Sequence, residues 1–188
     1  GAWESMAVRL PKMIRKAKKK FKKIDVTLDS HRPHHIAHPC LYKDRNGNPP
    51  NPFTIMREEN GSIIGAVFNA NTGSFNDIGE FTGIIPSIHK KIVSYLIALK
   101  AANKFPHCIW PMHCLIGTPG HNVVAPLMEA LFEWEIESIS DVNYITKGSN
   151  TFVEHFSAVK AEVSDPSDPS TQINADFIQS LDENDENV

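Results

Sequence analysis

The residues best suited to chemistry are one carboxylate and several imidazoles at short, fixed spacings. Asp29-Ser30-His31 is followed by His34, His35 and His38, and a second cluster stands at Trp110-Pro111-Met112-His113-Cys114. An Asp and a His two apart at a strand end point to the same side, because strand side chains alternate with period two. Carboxylate oxygen with imidazole nitrogen suits Zn²⁺ or another divalent transition metal. Alone, the Asp-x-His pair is a weak signal, since histidines in loops are more often surface residues or satisfied hydrogen-bonders. It gains force only if a third ligand arrives from elsewhere. His113 is the candidate, offered where the short apolar run Cys108-Ile109-Trp110 breaks at Pro111. Lys147 ends a later alternating run. Beside a cation and buried, its pKa would fall and it would serve as a proton shuttle. The plainer alternative is that Lys147 pairs with a carboxylate and His113 merely packs. Spacing does not choose between them.

Positioning these groups requires strands whose carboxyl ends share one rim. Ile24, Val26 and Leu28 alternate as a strand that delivers Asp29 and His31, and 141–146 alternates as a second that presents Lys147-Gly148. The run ending at Trp110 reads as a third. Between them lie helical patterns. Pro11 suits a first turn, with Leu10, Met13, Ile14, Ala17 and Phe21 on one face. Pro86-Ser87 opens a helix through Ile92, Leu96 and Leu99. Residues 123–134 form another, with Pro126 in its first turn, and Ser170 or Thr171 is expected to cap a last one through Ile173, Phe177 and Leu181. Asn46 to Pro52 is turn chemistry, and 54–76 reads as an irregular excursion with at most one short strand around 63–68. The expectation is an α/β fold with a mostly parallel sheet covered on both faces.

Composition narrows the partners. The chain has 188 residues, 41% hydrophobic and 22% charged, which suits a single domain with a sizeable core. Its net charge of −3 gives no general attraction to nucleic acid or an anionic membrane. The basic run between Arg15 and Lys23 is better read as a solvated helix end than as a nucleic-acid patch, because its one aromatic, Phe21, falls on the apolar face. Three cysteines outside any dense framework argue for a reducing compartment. No apolar run spans a bilayer and no signal peptide is visible, so a cytoplasmic protein is the expectation. Homo-oligomers are left open.

Taken together, the motifs resemble a family. Thr27-Leu28-Asp29-Ser30-His31, His35-Ile36-Ala37-His38-Pro39, Trp110-Pro111-Met112-His113-Cys114 with Gly117-Thr118-Pro119-Gly120, and Lys147-Gly148 with Phe156-Ser157-Ala158 are similar to the nicotinamidase branch of the isochorismatase-like cysteine hydrolases. Four motifs in order are specific where one would not be. The resemblance implies a three-layer α/β/α Rossmann-like domain and a metal, Zn²⁺ foremost, held by Asp29, His31 and His113 with His35 as a fourth ligand. It also implies a substrate wall at Trp110, a small aromatic amide as substrate, and hydrolysis by a Cys–Asp–Lys triad. Only Lys147 of that triad has a counterpart. The family's aspartate lies on a strand ahead of the first helix here, and its cysteine follows a strand expected beyond Val188. Cys40, Cys108 and Cys114 sit at other places. The expectation is therefore a hydrolase domain over 1–188 that is incomplete at both ends and active only within a longer chain. The alternatives are a catalytically inactive metal- or small-molecule-binding domain and, weakest, a nucleic-acid binder built on the basic helix.

Overall fold

The computed structural model describes residues 1–185, and two parallel strands carry the candidate residues toward their carboxyl ends. Those strands are β1 (Asp25–Asp29) and β7 (Asn143–Lys147), paired in register so that Asp29 lies opposite Lys147. The parallel pairing continues past β1. The Ser30 N–H donates to the Lys147 carbonyl, and His31 bridges in parallel to Leu115. The 113–116 segment thereby joins the same rim.

The fold is mixed α/β, but its larger sheet is not parallel. Five antiparallel strands run in the order β2 (Tyr42–Asp44), β5 (Ser74–Gly83), β4 (Ser62–Asn69), β3 (Ile55–Glu59), β6 (His107–Cys108). The stretch expected to be irregular with one short strand thus supplies three strands. Asn60 and Gly61 both have positive φ, 50° and 85°, the backbone of a tight two-residue turn that matches strand twist. That turn closes β3 onto β4.

Each sheet carries its own core. Helix α3 (Pro86–Ala101) lays Ile92, Tyr95, Leu96 and Leu99 on the antiparallel sheet, against Met56, Ile63 and Phe81. Helix α4 (Ala125–Ser138) buries Leu127, Ala130, Leu131 and Trp134 against Ile14 of the N-terminal helix and Val142. Full burial of one such side chain contributes about 1.5–3 kcal/mol, and each cluster fixes the strand ends beside it.

Two helix starts differ from expectation. The first helix begins well before Pro11: α1 (Ala2–Glu4) passes through a π-helical stretch, Ser5–Arg9, into α2 (Leu10–Ala17). Pro11 has no N–H to give, and a wider turn just before it is a common accommodation of a missing helical hydrogen bond. The last helix, α5 (Ala175–Asp185), is capped by Asn174, whose Oδ1 accepts from the Phe177 N–H. Ser170 and Thr171 belong instead to a 3₁₀ turn, Pro169–Thr171, capped by Asp168. The expected strand beyond Val188 lies outside the described residues. Among the described residues, no helix is long and apolar enough to cross a membrane.

Candidate active site

Lys147 projects from the carboxyl end of β7. Its ammonium donates to the Asp29 carboxylate on the neighbouring strand and to the His155 carbonyl at 3.1 Å. The in-register pairing of Asp29 with Lys147 sets the two side chains side by side on the same face. It also ties up the carboxylate expected to reach a metal. The next residue, Gly148, has φ +78°, and a Cβ there would come within 2.6 Å of the His31 ring. Glycine is therefore needed for the close approach by which the Gly148 carbonyl accepts from His31 Nδ1 at 3.0 Å.

His113 stands 4.8 Å from His31, ring centre to ring centre, and its Nδ1 faces the Pro111 carbonyl at 2.8 Å. A carbonyl can only accept, so in both rings Nδ1 carries the proton and Nε2 keeps its lone pair. A ring whose N–H is held by a backbone oxygen in this way is fixed in orientation and tautomer to offer its other nitrogen to a cation. Burial, followed by the neighbouring His113, lowers the pKa of His31 and favours this neutral form. In donor type the pair fits a divalent transition metal. Among the described residues, however, no three His, Cys, Asp or Glu side chains are gathered into a group ready to hold an ion.

His35 is fully buried 4.5 Å from His31. Its Nδ1 accepts from the Ala37 N–H, which puts the ring proton on Nε2. Burial holds its pKa down at about 3. In this tautomer His35 offers no lone pair to an ion, which argues against it as a fourth ligand.

These groups open into one cleft of about 360 Å³, lined by Asp29, His31, Ala37, Trp110, His113, Lys147, Glu154, His155 and Phe156. A volume of this order accommodates a single-ring ligand. Trp110 stands 40% exposed, held edge-on against Phe53 at 5.6 Å, and its backbone N–H donates to the Ala37 carbonyl. Lys147 and Trp110 therefore face the same space.

Sequence reasoning missed two members of the cleft, Glu154 and His155. They lie on an irregular stretch with no periodicity to mark them. Glu154 is buried beside His107, with 3.7 Å between carboxylate oxygen and Nδ1, and burial followed by the charge of Glu162 pushes its pKa up to about 8. His155 Nδ1 accepts from the Gly148 N–H at 3.3 Å, so it buttresses the same turn that seats His31.

No cysteine lines the cleft. Cys114 lies near it in a left-handed conformation, φ 46°, but burial and then Asp29 raise its pKa, with Lys147 only opposing them. An unactivated thiol is a poor nucleophile.

No family model and no curated protein matches the sequence. Three solved structures are similar in fold. The yeast nicotinamidase Pnc1p bound to the inhibitor nicotinaldehyde shares 18% identity over 84% of this chain and 51% of its own, with a TM-score of 0.47. Yeast Pnc1p in a second structure shares 15% over 94% and 58%, with a TM-score of 0.49. A nicotinamidase and pyrazinamidase of Acinetobacter baumanii shares 13% over 93% and 54%, with a TM-score of 0.47. The chain thus spans little more than half the length of each. Identities this low leave the chemistry to be argued from the residues.

Proposed function

We propose that this chain carries the lysine and cation side of an amidohydrolase site for a small aromatic amide, of the kind nicotinamidases use. The observation that supports the reading most is the single cleft shared by Lys147, Asp29, His31, His113 and Trp110. Their separations in sequence are large; residue type and position at strand ends point to Asp29, His31, His113 and Lys147, and the family resemblance points to Trp110.

In this reading Trp110 forms a wall for the flat face of the substrate, and His31 and His113 hold a divalent cation, Zn²⁺ foremost, with Asp29 available once Lys147 releases it. Such a cation supplies an anchor for a heteroaromatic ring nitrogen. Lys147, whose side chain is largely buried at the cleft wall, carries a proton at Nζ between nucleophile and leaving amine. The Gly148 turn keeps His31 in place while Lys147 moves.

The nucleophile is the missing part. Cysteine chemistry needs a thiolate beside backbone oxyanion donors, and the cleft holds no thiol. We therefore assign hydrolysis to a longer chain that supplies one. The test is ammonia release from nicotinamide by the 188-residue chain and by a version extended at both ends within its natural reading frame. Turnover is expected from the extended form alone, falling by at least about 100-fold with Lys147→Ala. Turnover by the short chain that Cys114→Ala abolishes would place the nucleophile at Cys114 and refute the assignment. A catalytically inactive binding domain would release no ammonia in either form.

A further inference from the structure

We propose that His38 is a third imidazole ligand of the cation site, completing a His31–His38–His113 set; the inference rests on the cation reading given above. His38 is fully buried, yet its Nε2 has no hydrogen-bond partner among the described residues. Buried polar atoms in native proteins are rarely left in that state without a reason.

The tautomer identifies what is lacking. His38 Nδ1 lies 3.0 Å from the Pro33 carbonyl, which can only accept, so Nδ1 holds the proton and the lone pair sits on Nε2. His31 and His113 are arranged identically against the carbonyls of Gly148 and Pro111. Three histidines thus each spend their N–H on a backbone oxygen and keep the same nitrogen bare. A fourth ring nearby, His35, is set the opposite way, so the pattern is not a consequence of crowding.

The rings also stand at the right spacing. Imidazoles that share a tetrahedral ion, with nitrogens about 2 Å from it, have centres about 5 Å apart. The three separations here are 4.8 Å for His31–His113, 5.5 Å for His38–His113 and 5.8 Å for His31–His38. All three pairs are steeply inclined, with interplanar angles of 63°, 75° and 80°, so no two of the rings are stacked face to face. Among the described residues the three do not yet form a closed ligand group, so taking up an ion would draw the rings together. With three imidazoles the ion does not require Asp29, which keeps its pairing with Lys147 and orients the lysine.

The experiment is zinc titration of the full 188-residue chain by calorimetry, with His38→Gln and, as a control, His34→Gln. His34 is an exposed histidine of the same loop. His38→Gln is expected to weaken zinc binding by at least about 100-fold, at or beyond the top of the range for losing an outer-shell partner, and His34→Gln to leave it unchanged. X-ray absorption of the zinc-loaded, unaltered chain counts imidazoles without any substitution and decides the matter even if His38→Gln fails to fold. Three imidazoles support the set. Two, or an undiminished affinity in His38→Gln, overturn it while leaving the cation reading standing. No zinc uptake by the unaltered chain overturns both.

Discussion

Glu154→Gln is expected to change how stability depends on pH, with little effect on stability in acid. Glu154 is 5% exposed and faces the bare Nδ1 of His107, whose Nε2 lies 2.9 Å from the Ile36 carbonyl. A protonated carboxyl suits that neighbour, since its O–H points toward a lone pair; a carboxylate there is stranded in apolar surroundings. Unfolded, the group loses its proton near its ordinary 4.5; folded, it holds it to about 8. The native state therefore binds the extra proton between those values, and its stability falls as pH rises through that window. The gap between the two values sets a ceiling of about 5 kcal/mol, and relaxation of the cleft will reduce it to a few. Glutamine keeps the neutral shape and cannot ionise. Urea unfolding at pH 5, 7 and 9 should show the two proteins within about 1 kcal/mol in acid, with the variant more stable by a few kcal/mol at pH 9. Parallel pH profiles for the two proteins would refute a protonated, buried Glu154.

The acid side should behave in the opposite sense. Burial holds His35 at about 3 and His107 at about 4, so stability from keeping them neutral is complete above 6.5 and lost as pH falls through the folded values; in Glu154→Gln, where the opposing carboxyl is removed, unfolding midpoints that do not drop between pH 7 and pH 4 would contradict this. Gly148→Ala should cost about 1–3 kcal/mol from its left-handed backbone alone, and should weaken zinc binding as His31 is displaced. Gly120→Ala, where the new Cβ would meet only Thr118 Oγ1 at 3.7 Å, is the comparison, and equal effects on zinc would show that His31 is not seated by Gly148.

Much of the site was legible because its signals are local. Asp29 and His31 sit at the end of an alternating run, and Lys147-Gly148 ends another; once both runs are strands of one parallel pair, the register brings Asp29 to Lys147. The helices α3 and α4 were legible for the same reason, as apolar periodicity behind a proline. The antiparallel sheet was not. Strand β5 is exposed along most of its length, so it shows no alternation, and β4 is broken by a register shift between Gly65 and Ala66 that spoils its period. The Asn60-Gly61 turn was the one usable signal there. His38 was visible as a residue but not as a ligand, since only the fold reveals that its Nε2 is buried and bare.

The most direct test of the cleft itself is calorimetric binding of nicotinamide to the zinc-loaded 188-residue chain, compared with Trp110→Ala and with Phe105→Ser. Phe105 is an exposed aromatic away from the cleft. Saturable binding, weakened at least about 10-fold by Trp110→Ala, as loss of a stacking aromatic contact implies, and unchanged by Phe105→Ser, is the expected result. Zinc uptake without nicotinamide binding, or binding indifferent to Trp110, would contradict the assignment of this cleft to a small aromatic amide.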